Sequence, residues 1–139
     1  MEGFAAVVAD GTVGLLGASN HRVDLGVASG DHLSYLREDP SLCLVAYSPL
    51  LNGSYGRADK PLDPGYRNAG TAARLTALAE VAAETGATRN QVVLAWLMGG
   101  QIPVIPLVGA SSVAQLEESL AAVDLDLTQD QRAKLDAAH

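Results

Sequence analysis

Two short apolar runs, each breaking off in a turn of small and polar residues, constrain what this chain can fold into. Leu42-Cys43-Leu44-Val45-Ala46 runs into Tyr47-Ser48-Pro49-Leu50, and Pro103 to Leu107 runs into Val108-Gly109-Ala110-Ser111-Ser112. Continuous apolar runs of this length read as buried strands. Val13-Gly14-Leu15-Leu16-Gly17, ahead of Ala18-Ser19-Asn20, reads as another. Amphipathic segments alternate with these runs. Thr71 to Thr85 sets Leu75, Leu78, Val81 and Ala82 at helical spacing with Gly86 as its C-cap, and Thr88 to Met98 starts a second helix closed by Gly99-Gly100. Ser111 or Ser112 is placed to cap a helix running to Ala122, and Thr128-Gln129-Asp130-Gln131 has capping-box spacing for a last one. Strands alternating with helices predict an α/β fold with a parallel sheet, because a parallel crossover needs a helix to cover the sheet.

The remaining segments are less regular. Phe4 to Ala9 is a short apolar piece ended by Asp10-Gly11, and Val27 to Arg37 suits a short helix that Pro40 terminates. Asn52 to Gly70, with its glycines and prolines, reads as a long loop. A chain of 139 residues fits a single domain spanning 1–139, and 48% apolar residues against 18% charged exclude a disordered tail. A net charge of −7 with nine basic residues argues against a nucleic-acid partner or an anionic membrane surface. The lone cysteine, Cys43, forms no internal disulfide and is expected as a buried core thiol; no metal site is expected. Met1 to Phe4 does not open a signal peptide, and no run approaches the ~20 apolar residues of a membrane span, so a cytoplasmic protein is expected.

Three turns carry groups suited to a ligand. Gly17-Ala18-Ser19-Asn20 lets backbone approach closely and offers a hydroxyl and an amide, although Ser19 or Asn20 capping a turn gives the same pattern. Tyr47 presents a flat face to a heteroaromatic ring, unless it is a core-edge tyrosine, and Ser48 to Gly53 has backbone and hydroxyl donors for a phosphate. Gly109-Ala110-Ser111-Ser112 leads into a helix whose first N–H groups suit an anion or, equally, plain N-capping. All three close a strand at what would be one face of the sheet, where α/β folds build their sites.

Val45-Ala46-Tyr47-Ser48-Pro49-Leu50, Gly86-Ala87-Thr88, Asn90-Gln91-Val92-Val93-Leu94-Ala95-Trp96-Leu97, Val104-Ile105-Pro106 and Gly109-Ala110-Ser111-Ser112 with Gln115-Leu116-Glu117-Glu118 follow one another in order. In that order and spacing the chain resembles the carboxy-terminal half of an aldo-keto reductase, with Gly17 to His21 similar to the family's mid-barrel strand end. The resemblance implies part of a (β/α)8 TIM barrel, an open partial barrel of three or four strands, and NADP or NAD as cofactor. By the resemblance Ser19 and Asn20 would hold the nicotinamide carboxamide, with Tyr47 stacked on its ring. Ser48, Leu50, Asn52 and Gly53 would follow the pyrophosphate, and Gly109, Ser111, Gln115, Glu118 and Ser119 would surround the adenosine end.

Departures from the family pattern sharpen the expectation. Many members place an arginine where Gln115 stands and an asparagine where Ser119 stands, so the choice between NADP and NAD is open. Arg89 is a candidate to compensate. The aspartate, tyrosine, lysine and histidine segments of the family's catalytic group do not occur, so no catalytic residue is assigned; Tyr55 with Lys60 is a poor substitute, and His21 is expected in a turn. Between Gly17 and Leu42 there is room for one helix but not for the further strand and helix of the family, which puts a join near Val23-Asp24. The expectation is a shortened NAD(P)H-dependent carbonyl reductase, inactive by itself, with exposed sheet edges that favour a homo-oligomer. A non-catalytic nucleotide-binding or interaction module, half of a split enzyme, and a gene remnant are the alternatives.

Overall fold

Residues 30–138 are described by the computed structural model, apart from the side chains of Asp31 and His32. The segments expected at Phe4–Ala9 and Val13–Gly17, the proposed join, and Ser19, Asn20 and His21 lie outside the described residues. The chain divides into two units, and the account below is of the one from Asp31 to His139, entered through Gly30.

Helix α1 spans Gly30–Glu38 and stops ahead of Pro40, as the restriction on the residue before proline requires. Ser41 then donates from both its N–H and its hydroxyl to Asp39 Oδ1 (3.1 and 2.6 Å), which fixes the turn and holds that carboxyl below its usual range. Strand β1 follows at Leu44–Tyr47, two residues later than its apolar run suggests. Helices α2 (Thr71–Thr85) and α3 (Arg89–Met98) intervene before β2 (Val104–Leu107), and α4 (Val113–Leu120) and α5 (Gln129–Ala137) complete the order.

The two strands are parallel, with Leu44 opposite Val104, Val45 opposite Ile105, Ala46 opposite Pro106 and Tyr47 opposite Leu107. They were expected to be buried throughout, and here the structure differs. Leu44 and Ala46 are half-buried, whereas Cys43, Val45 and Tyr47 alternate with them and are exposed. The same alternation leaves Ile105 and Leu107 exposed on β2. A buried Cys43 is therefore corrected: successive strand side chains point to opposite faces, and its face is uncovered among the described residues.

The core lies under α2 and α3. Leu78, Val81 and Ala82 of α2 meet Val92 of α3, with Tyr55, Leu125, Leu127 and Leu135 closing the edges. Val81 and Val92 have no exposed surface. Gly86 takes the left-handed conformation (φ 70°) that ends α2, where a side chain would be strained. Two capping boxes start the helices on either side of the core: Thr88 with Gln91 opens α3, and Thr128 with Gln131 opens α5. The helix expected to run to Ala122 instead ends at Leu120 and tightens into a 3-10 turn, Ala121–Asp124, which buries Ala122.

Helix α5 is held chiefly by polar ties. Arg132 donates through Nη2 to Ala95 O and through Nη1 to Trp96 O (3.0 and 3.1 Å), satisfying carbonyls at the end of α3. Trp96 Nε1 donates to Asp136 (2.7 Å), and Lys134 pairs with Glu80 and Glu84 of α2. Gly99 makes room for the arginine: a Cβ there would stand 1.8 Å from Arg132 Nη2.

Candidate functional site

Because β1 and β2 run parallel and Tyr47 is opposite Leu107, the turns that follow them leave the sheet side by side. Tyr47 is 84% exposed, so its ring stands free at the strand end instead of closing the core. The adjoining turn is conformationally demanding. Ser48 (φ 50°), Leu51 (φ 47°) and Asn52 (φ 57°) all lie in the left-handed region, followed by Gly53 (φ 86°). Non-glycine residues there carry a cost in backbone energy, and such residues gather where a fold positions a ligand.

Several donors of this turn are already used. Leu51 N–H donates to Ser48 O (3.0 Å) and Gly53 N–H to Leu50 O (2.8 Å), while Ser54 Oγ donates to Leu51 O (2.7 Å). Ser48 and Leu50 are half-buried, Asn52 is exposed, and Gly53 is half-buried beside the Arg57 side chain. The Leu51 and Gly53 amides are thus committed within the turn. The segment Asn52–Gly70 is a long loop, as its composition suggests, and it is ordered by local turns. It holds the 3-10 turns Leu51–Gly53 and Pro64–Tyr66, and Arg89 Nη1 pins it to α3 by donating to Tyr55 O (3.0 Å).

After β2 the chain turns through Gly109, where a Cβ would meet no atom within 4 Å. Ser112 caps α4, its hydroxyl accepting from Gln115 N–H (3.3 Å). Gln115 folds back over the same turn, and its Oε1 accepts from both the N–H and the hydroxyl of Ser111 (2.8 and 3.0 Å). Glu118 faces α3 instead: its Oε1 accepts from Thr88 Oγ1 (2.7 Å) and Asn90 Nδ2 (3.4 Å), and its carbonyl accepts from Gln91 Nε2 (3.0 Å). Ser119 donates to Gln115 O (2.9 Å) and lines an apolar recess of about 330 Å³ between α3, β2 and α4.

Tyr47, Ser48, Leu50, Asn52 and Gly53 therefore lie along one turn, and Gly109, Ser111 and Gln115 along its neighbour. Glu118 and Ser119 sit one turn deeper in α4, on the side toward α3. Sequence reasoning missed Thr88 and Asn90 as the partners of Glu118; Asn90 Oδ1 is buried with no hydrogen-bond partner among the described residues. The spacing Thr88–Gln91 signals a cap, but no sequence pattern links it to a carboxylate some thirty residues on.

The chemistry of the remaining titratable groups is modest. Burial, with Tyr66 nearby, pushes the Tyr55 phenol above its usual range, and Lys60 Nζ reaches Asn52 O (3.5 Å). No group of three or more His, Cys, Asp or Glu side chains that could hold a metal occurs among the described residues. No helix among them is long and apolar enough to cross a membrane.

Comparison with known proteins places this arrangement. A thermostable aldo-keto reductase, solved in complex with the inhibitor epalrestat, superposes with a TM-score of 0.67 at 23% identity, over 99% of this chain and 53% of its own. The fold is thus the α/β, TIM-barrel type of that enzyme, present in part. An uncharacterized oxidoreductase of Mycobacterium tuberculosis is 37% identical over 147 residues, covering 94% of this chain and 45% of the relative. Pyridoxine 4-dehydrogenase of Escherichia coli is 44% identical over 59 residues, which is 42% of this chain and 21% of that protein. The chain spans less than half the length of these relatives. With residues 27–139 matching the model of the Aldo/keto reductase family, the chain belongs to that family.

Proposed function

We propose that this chain forms the nicotinamide-dinucleotide-holding side of an oxidoreductase that moves hydride between NAD(P)H and a carbonyl compound. The observation that carries the reading is the strand register, which sets an exposed aromatic ring and two polar turns at one end of a parallel pair. Ligands of α/β folds bind at the carboxyl ends of strands. The residues fit such a group: Tyr47 has a free face for a planar ring, Ser48 and Asn52 have polar groups beside it, and Gly109 leaves open space on the neighbouring turn.

When bound, the nicotinamide supplies the hydride. Tyr47 would orient the ring, and the turns after β1 and β2 would hold the pyrophosphate and the adenosine end. A carbonyl also needs a proton, and here the described residues offer little. Tyr55, pushed up by burial, is a weaker acid than an ordinary tyrosine, whereas a proton donor near neutral pH needs its pKa lowered by a neighbouring cation. The 139-residue chain on its own is therefore expected to bind the cofactor without turnover.

The test is a titration with NADH and NADPH followed by cofactor fluorescence, together with an assay of cofactor consumption with a simple aldehyde. Binding without consumption is expected. No response at millimolar cofactor would remove the reading, and turnover abolished by Tyr55→Phe would show that the proton donor lies within the chain. A second reading, a half that operates against a separate polypeptide, is favoured by the exposed face of Val45, Tyr47, Ile105 and Leu107.

A further inference from the structure

We infer that the turn after β2 selects a dinucleotide lacking a 2′-phosphate, so that the chain takes NADH in preference to NADPH. The inference rests on the reading above, in which this turn meets the adenosine end of the cofactor. Its ground is where the donors of the turn point. The N–H and hydroxyl of Ser111, the pair best placed to receive an anion ahead of α4, both donate to Gln115 Oε1. An anion would meet the negative end of that amide dipole instead of free donors, and would have to displace it.

The stretch of chain that builds this turn supplies no cation to replace the lost attraction. No lysine, arginine or histidine occurs between Arg89 and Arg132, a stretch that carries Glu117, Glu118, Asp124, Asp126 and Asp130. The two flanking arginines are engaged with backbone carbonyls: Arg89 with Tyr55 O, Arg132 with Ala95 O and Trp96 O. Arg89, the candidate to compensate for Gln115, is thereby committed to the loop before α2.

The polar groups left at the turn suit a hydroxyl. Gln115 Oε1 already accepts twice from Ser111, whereas Thr88 and Asn90 hold the Glu118 carboxylate in place through Oε1 and leave its Oε2 as an acceptor. A ribose 2′-OH can donate to such oxygens, whereas a phosphate has only acceptors to present and is best bound by charge-assisted donors. The Glu117 and Glu118 carboxylates of α4 add like-charge repulsion. Gln115 is thus a specificity-determining residue that acts through the Ser111 donors.

The deciding measurement is the dissociation constant of the unsubstituted chain for NADH and for NADPH, by cofactor fluorescence, repeated with ADP-ribose and its 2′-phosphorylated form. NADH is expected to bind at least about tenfold more tightly, with the same order for the two ADP-riboses. Gln115→Arg should raise the NADPH-to-NADH affinity ratio about tenfold, and the gain should shrink as salt is raised. NADPH binding as tightly as NADH or more tightly would overturn the selectivity while leaving the cofactor reading intact. Failure of both cofactors to bind would overturn both. Because the first comparison needs no variant, it decides the matter even if Gln115→Arg does not fold.

Discussion

Tyr47 and Gln115 sit on neighbouring turns, yet they differ in what a sequence can say about them. Tyr47 was legible because an aromatic at the end of a short apolar run has few places to go, and strand alternation put it on the uncovered face. Gln115 was legible only as a polar residue in the first turn of a helix. Whether such an amide faces a ligand or its own backbone depends on the turn ahead of it, and here it closes on Ser111. The apolar run misled at Cys43, since a continuous run does not reveal that one face of a strand lacks cover. Tyr47→Ala is expected to weaken dinucleotide binding about tenfold through lost stacking. The same change should leave the thermal midpoint nearly unchanged, because the ring is 84% exposed; fluorescence titration and thermal melting separate the two effects.

At the scale of elements, the helices were legible where caps and periodicity agreed. Helix α2 occupies Thr71–Thr85 as the spacing of Leu78, Val81 and Ala82 required, and both capping boxes formed. The loop before it was legible as a loop but not in its order, which comes partly from hydrogen bonds with distant partners, such as Arg89 with Tyr55, that leave no periodic trace. Leu94 of α3 is 1% exposed, so Leu94→Ala should cost about 3 kcal/mol by urea denaturation, the transfer and cavity terms together. Thr88→Ala removes a cap and a bond to Glu118 and should cost about 1 kcal/mol in the same assay. The tie between α5 and α2 also predicts a pH profile. Lys134 and Gln131 hold the Glu84 carboxyl below its ordinary value, so that contribution is present above the usual glutamate range and is lost as pH falls through the lowered value. Glu84 and Glu80 raise Lys134, whose contribution is complete below the usual lysine range and disappears as pH rises through the raised value. These groups are solvent-exposed, so the effect is small; denaturation midpoints should be flat near neutrality and decline at both extremes, and Lys134→Met should flatten the profile.

For the molecule as a whole, the parallel pair β1–β2 carries Val45, Tyr47, Ile105 and Leu107 on an exposed face, and α4 adds Val113, Leu116 and Leu120. Apolar surface and strand edges of this kind favour association, which sedimentation should reveal as a concentration-dependent rise in mass that Val45→Lys with Ile105→Lys suppresses. A monomer across the accessible concentrations would contradict that expectation. The family was legible from the order of its turns, whereas the uncovered face depends on which strands stand beside the pair. One consequence of the α5 attachment reaches beyond this chain. Since the Arg132 guanidinium fills the space that Gly99 leaves, a side chain at 99 would displace it from the carbonyls of Ala95 and Trp96, whereas position 132 can change with Gly99 kept. In any set of descendants, side chains at 99 should be found mainly where 132 has lost its arginine, so two residues far apart in sequence should show a one-way dependence in inheritance.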